Sequence, residues 1–236
     1  MRILIVLFFI VKMNYAQTFE ATYQFEINKE FYEKELHKKI KAGGDSTFMR
    51  KAFSRFLDPK PVTAKLIFNS KASYYHLIQN DEVNYKKRKS LPIIKFAGDN
   101  NRYYNSKNQD SILVHFYRKN LDIKEFLLKS DFKPIVLKKQ SRKIGKYQCY
   151  LAETFYSKKQ NLKLWYAPAI PTQFNIIDYS SLPGLLIKLE SQLFKANLVS
   201  LKEVDASHLK KPSQEIPIVS QKSYQEMSQK FNPFKD

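Results

Sequence analysis

From Thr18 to Ile27 apolar and polar residues alternate, with Phe19, Ala21, Tyr23, Phe25 and Ile27 on one side and Glu20, Thr22, Gln24 and Glu26 on the other. A period of two is that of a strand with one buried face. The period then lengthens. Tyr32, Leu36 and Ile40 fall four apart, and Gly43-Gly44 ends that run. Asp45 or Ser46 is placed to cap a second helix whose stripe is Phe48, Met49, Ala52, Phe53, Phe56 and Leu57, closed off by Pro59. The pattern predicts a two-helix insertion over 30–57, directly after the first strand.

Strand patterns resume beyond it. Val62–Phe68 turns at Asn69-Ser70-Lys71 into Ala72–Gln79, and a polar loop carrying Asn80-Asp81-Glu82 and a lysine cluster follows. Arg102–Asn105 with Ser111–Arg118, and Tyr147–Tyr156 with Asn161–Tyr166, read as hairpins. Leu121–Leu128 fits a strand or a short helix, and Phe132–Lys138 reads as extended. Leu185–Phe194 and Ala196–Glu203 form another hairpin pattern. Tight turns between successive strands require antiparallel pairing, because parallel pairs need long crossovers. The expected fold is mainly β: a large antiparallel sheet curved into a half-barrel or partly closed barrel, the helical pair covering one face or end. A single domain is expected over 17–204. Residues 205–236 read as a polar C-terminal tail, interrupted by Pro212 and Pro217, with a short helix over Ser223–Phe231.

The hexapeptide Ser181-Leu182-Pro183-Gly184-Leu185-Leu186 stands between Leu164-Trp165-Tyr166-Ala167-Pro168 and the strand pattern Ile187-Lys188-Leu189-Glu190. Pro183 has a fixed φ and Gly184 tolerates a positive one, so the pair fits the centre of a type II turn delivering the chain into a strand. Leu182 and Leu185 make the turn too apolar to stand in water. It is either a binding lip or a buried corner closing the sheet. The hexapeptide resembles the signature of the GLPGLI family, exported proteins of Bacteroidetes-type bacteria. Ile144-Gly145-Lys146-Tyr147-Gln148-Cys149-Tyr150-Leu151-Ala152 and Trp165-Tyr166-Ala167-Pro168-Ala169-Ile170-Pro171 are similar to other segments of that family. Ser181 stands where the signature has its first Gly, and Leu186 where it has Ile. The resemblance implies export and a β-rich fold; it brings no catalytic residue.

Export is also legible at the N-terminus. Met1-Arg2, an unbroken apolar run from Ile3 to Val11, and Lys12-Met13-Asn14-Tyr15-Ala16-Gln17 have the layout of a secretory signal peptide, residues 1–16, with cleavage expected between Ala16 and Gln17. The run is too short to span a bilayer, which takes about 20 residues, and no later stretch qualifies. The expected location is the periplasm or the cell exterior. Cys149 is the one cysteine, which excludes an intramolecular disulfide. Alternation puts it with Tyr147 and Leu151, as a buried small hydrophobe.

The formal charge of +19 attracts anionic surfaces in general, although abundant Lys, Asn, Ile, Tyr and Phe with only five Gly fits an A/T-rich coding background. The clusters Lys86-Lys87-Arg88-Lys89 and Lys138-Lys139 with Arg142, Lys143 and Lys146 are the candidate anion patch. No aromatic interleaving of the nucleic-acid-binding kind accompanies them. His37, His76, His115 and His208 lie in four separate segments without metal-ligand spacing, and no nucleophile elbow, phosphate loop or dinucleotide fingerprint occurs. Asp178 and Glu190 are a distant carboxylate pair at most. No catalytic residue, metal or cofactor is therefore expected. The reading is a non-enzymatic envelope protein that binds an apolar ligand or an outer-membrane partner through an aromatic sheet face. The alternatives are an envelope hydrolase, or a binder of anionic polymer or lipid headgroups through the basic loops. A hydrolase requires His115 or His76 to meet a carboxylate in one pocket.

Overall fold

A computed structural model describes residues 17–57, 60–78, 92–119, 121–157 and 160–230. The signal peptide expected over residues 1–16 and the Lys86–Lys89 cluster lie outside these residues.

The first alternating run is strand β1 (Thr18–Ile27), followed by α1 (Lys29–Lys41) and α2 (Ser46–Leu57). Gly43 takes φ +90 just past the end of α1, and Asp45 caps α2 by accepting the Phe48 N–H at 2.6 Å. Then come β2 (Val62–Phe68), β3 (Ala72–Leu77), the short α3 (Pro92–Phe96), β4 (Arg102–Ser106), β5 (Ser111–Tyr117) and β6 (Glu125–Asp131). The chain continues through β7 (Val136–Ile144), β8 (Tyr147–Ser157), β9 (Gln160–Ala167), β10 (Leu185–Glu190) and β11 (Phe194–Val204). It finishes with β12 (Ile218–Val219) and α4 (Gln221–Lys230). The ambiguous run at 121–128 resolves as a strand, begun later than the pattern placed it.

All strands among the described residues form one sheet, in the order β12-β6-β5-β4-β3-β2-β1-β11-β10-β9-β8-β7. Every pairing from β6 to β7 is antiparallel, and only β12 runs parallel to its neighbour. A flat sheet would hold β6 and β7 roughly 48 Å apart at strand spacing. The chain joins them through residues 132–135 alone, which reach at most about 18 Å when extended. The sheet must therefore curl until its ends approach. Closure does not follow: successive antiparallel steps leave β6 and β7 pointing the same way, and β7 starts just after β6 stops. The result is the partly closed barrel expected of the pattern.

The inside of the curl is the main core. Inner-face residues from both ends of the sheet, among them Phe126 of β6 and Ala152 of β8, belong to one buried cluster. That cluster also takes in Ile93, Ile94 and Phe96 of α3, and Phe174, Ile176, Ile177, Tyr179 and Leu182 from the segment between β9 and β10. Phe31, Phe53, Phe56 and Leu57 of the helical pair pack against it. Phe96 stacks on Phe194 at 4.4 Å, and Tyr32 on Phe56 at 4.3 Å. The aromatic inner face is thus largely occupied by the protein's own rings.

The outer face carries two separate smaller clusters. Ile67, Tyr74, Tyr104, Leu113 and Leu127 are covered by Val204, Leu209 and Ile216, so the segment expected to be a polar tail lies on the sheet. It also adds β12, whose Ile218 and Val219 pair with Leu127 and Leu128, and α4, whose Tyr224 stacks on Phe116 at 5.9 Å. The domain therefore includes residues beyond 204. The second cluster, Cys149, Leu151, Trp165, Ala167 and Ile187, lies under the β7 end of the barrel.

Candidate functional site

The hexapeptide is a buried corner. Leu182, Leu185 and Leu186 are fully buried, whereas Ser181 and Pro183 are exposed. The expected type II turn is not what forms: Gly184 has φ +149, and the Leu185 N–H donates to Ile170 O at 3.1 Å instead of turning back to Leu182. Asn175, which nothing in its own sequence context marks, holds the corner. Its side-chain amide donates to Gly184 O at 3.2 Å and its Oδ1 accepts the Leu186 N–H at 2.7 Å, doing what a neighbouring strand would do. Tyr23 Oη donates to Leu186 O at 2.7 Å from β1. Ser181 sits at φ +79, a left-handed conformation that suits glycine.

Around the β7 end a polar network lies on the outer face. Arg142 stands opposite Cys149 on β8, and its guanidinium carbon lies 3.9 Å from the Trp165 ring centroid. Glu190 Oε2 accepts from Arg142 and from the Trp165 indole N–H, both at 2.9 Å, and Lys188 pairs with Oε1 at 2.7 Å. Burial alone pushes the Glu190 carboxyl up, but the hydrogen bonds from Lys188, Trp165 and Arg142 outweigh it and hold it below its ordinary range. The Arg142 Nε–H is buried and has no acceptor among the described residues.

The strand carrying Arg142 is the long edge strand of the sheet, the other end being the two-residue β12. Residues 136–141 of β7 are exposed throughout, and among the described residues no strand pairs with its outer side. At the other end, β12 and α4 cover β6. The candidate anion patch divides along β7. Lys138 pairs with Glu153 at 3.0 Å and Arg142 with Glu190, whereas Lys139 and Lys143 have no carboxylate partner among the described residues. Lys146, in the β7–β8 turn, lies over the Tyr147 ring at 5.4 Å.

The remaining candidate chemistry does not converge. His115 Nε2 meets Glu125 Oε1 at 2.8 Å, but Glu125 is half exposed, and the pair lies on the outer sheet surface outside the described grooves. His76 lines a groove of about 320 Å³ with Lys65, Arg102 and Lys210 and no carboxylate. Burial, aided by those cations, lowers its pKa. Asp178 pairs with Lys133 at 3.5 Å beside Tyr103, Tyr156 and Tyr179, and shares none of these partners with Glu190. Burial raises its pKa more than Lys133 lowers it, and its Oδ1 is buried without a partner among the described residues. Burial also raises the Cys149 thiol, the direction of an unreactive side chain. No group of three or more metal-ligating side chains occurs among the described residues, and none of their helices is long and apolar enough to cross a membrane.

The class these features define is an open, internally plugged and mainly antiparallel barrel, with a basic edge strand at β7 among the described residues. Among solved structures the chain is similar to PNGF-II, in two crystal forms: TM-scores of 0.58 and 0.57, each at 14% identity, over 91% and 90% of this chain. The chain spans about a third, 33%, of the length of PNGF-II. At this identity the likeness shows a shared fold alone. An uncharacterised conserved protein from Thermus thermophilus aligns over 87% of this chain and 91% of its own, at a TM-score of 0.39 and 9% identity. No family model matches the chain, and no curated protein matches its sequence.

Proposed function

We propose that this chain is an exported, non-enzymatic envelope protein that captures a partner along the open edge of β7. The signal-peptide pattern of residues 1–16 and the resemblance to the GLPGLI family support export. The carrying observation is the edge itself: a nine-residue strand, exposed along most of its length, with its outer backbone groups unpaired among the described residues. Such an edge is a template for association, which sheets ordinarily cover or keep short. An apolar ligand inside the barrel is a weaker reading, because α3 and the 170–184 segment fill that space and the described grooves at the strand ends are lined by polar residues such as Asn28, Glu190 and Ser191.

The test is site-specific photo-crosslinking in intact envelopes. A photoreactive residue at Lys139 is compared with one at Lys107, in the β4–β5 turn. A discrete adduct from position 139 alone, identified by mass spectrometry, is the expected result. Equal labelling from both positions, or from neither, would sink the proposal. Lys139 and Lys143 favour one second reading, adsorption to anionic headgroups. It predicts flotation with phosphatidylglycerol vesicles that is abolished at high salt.

A further inference from the structure

The free edge also indicates what kind of partner fits it, an inference that rests on the edge-capture reading above. We propose that β7 receives an acidic, extended polypeptide segment that adds to the barrel as a further strand, pairing with Ser141–Ile144.

Register locates the docking stretch. Ser141, Arg142, Lys143 and Ile144 pair one-to-one with Tyr150, Cys149, Gln148 and Tyr147 of β8, whereas the register shifts between Leu137 and Ser141. Regular pairing on the inner side gives evenly pleated backbone groups on the outer side, which is what strand addition needs. The shift upstream twists the strand and stops an added strand there.

Charge selects the occupant. Lys138 and Arg142 are neutralised by Glu153 and Glu190, but Lys139 and Lys143 are exposed on the same strand and repel a second copy of it, which disfavours self-association at this edge. An acidic strand meets no such repulsion. The cations also straddle the edge. Arg142 lies on the outer face over Trp165, and Lys143, its chain neighbour opposite Gln148, points to the other face. A flat membrane cannot engage both faces of one strand, whereas a strand lying in the plane of the sheet places alternate side chains beside each. Arg142 is held by Glu190, whereas Lys143 is exposed and has no carboxylate partner among the described residues, so Lys143 is the cation left for an incoming carboxylate.

Trp165 is the one tryptophan of the chain and lies directly beneath Arg142, so its emission reports on this edge. The experiment titrates the protein from Gln17 onward with a short synthetic peptide alternating valine and glutamate. Controls are the same peptide with alternate backbone nitrogens methylated, and one with lysine in place of glutamate. The expected result is a saturable change in Trp165 emission, with slowed amide exchange over 141–144, for the unmethylated acidic peptide alone. Lys143→Glu is expected to weaken it about five-fold, as fits reversal of one exposed charge pair. Equal binding of the methylated peptide would show charge attraction without strand addition and overturn the proposal, as would no saturable binding. Competition by phosphatidylglycerol vesicles that leaves exchange over 141–144 unchanged would assign the edge to a membrane surface instead. An adduct at position 139 in the crosslinking experiment, with a failed peptide titration, removes strand addition and leaves edge capture standing. Failure of both removes both.

Discussion

Arg142 lies over Trp165, 3.9 Å from guanidinium carbon to ring centroid, and both donate to the same oxygen of Glu190. The contact joins side chains of β7, β9 and β10 across the intervening β8, and ties the edge strand to the body of the barrel. Arg142→Ala removes a cation–π contact and a charge-assisted hydrogen bond at a partly exposed site, so a loss of about 1 kcal/mol is expected. Urea denaturation measures it, and Trp165 emission should shift to the red in the native state as water reaches the ring. An unchanged emission maximum would show that the stack does not persist in solution.

Gly184 sits where a side chain has no room. A Cβ there would strike the Ala167 carbonyl oxygen, lie 2.6 Å from the Ala167 carbonyl carbon and 2.8 Å from Pro168 Cα, at a φ of +149. All three contacts are backbone, which cannot swing aside. Gly184→Ala is expected to cost roughly 3 kcal/mol or more, among the largest effects a single methyl can have. Pro183→Ala, at an exposed position, is the matched control and should cost under about 1 kcal/mol. Equal midpoints for the two variants would refute the close approach.

Ser181 presents the opposite case. Its φ of +79 is costly for any residue with a Cβ, and its side chain is exposed. Ser181→Gly relieves that strain, partly offset by the greater freedom of glycine in the unfolded chain, and should stabilise by about 0.5–1 kcal/mol. A raised Tm in calorimetry is the expected outcome.

Glu20 is the buried charge at the centre of the sheet. Its side chain is 3% exposed and pairs with Lys65 at 3.0 Å and Lys202 at 3.3 Å, one from each flanking strand. Burial raises its pKa, and the two lysines more than reverse that, leaving it below the ordinary 4.5. A lowered folded pKa stabilises above the ordinary value and is lost as pH falls through the lowered one. Glu20→Gln should therefore destabilise near neutral pH, by about 1–2 kcal/mol given that both lysines remain partly hydrated, and the difference should vanish in acid.

Asp178 has the reverse sign. Burial outweighs Lys133, so the folded protein holds this proton more tightly than the unfolded chain does. Its contribution favours the fold below the ordinary 3.8 and is lost as pH rises through the raised value. The stability of Asp178→Asn relative to the parent should thus improve steadily with pH. Paired urea midpoints from about pH 3 to about pH 7 check this. A constant difference across that range would show that Asp178 titrates normally.

The strand at Thr18–Ile27, the helical pair ended by Gly43 and capped by Asp45, and the hairpins were legible along the chain because their causes are local. Side-chain period, capping and turn residues act within a few positions. The curved antiparallel sheet followed from the shortness of the turns. The polarity of the tail misled, because Leu209, Ile216 and Tyr224 are too widely spaced to make a pattern yet each meets an apolar partner on the sheet. Asn175 carried no signal at all, since its value lies in two backbone groups of the hexapeptide that the fold brings to it. The same holds for the site. Reading along the chain is enough to show that cations cluster near 138–146 and that a Pro-Gly corner precedes a strand. That β7 is an edge, that Glu153 and Glu190 neutralise two of its cations, and that Arg142 rests on Trp165 emerges only once the chain is folded. Whether a strand lies at an edge depends on the order in which all the strands pair, and that order is set by contacts between residues far apart in the chain.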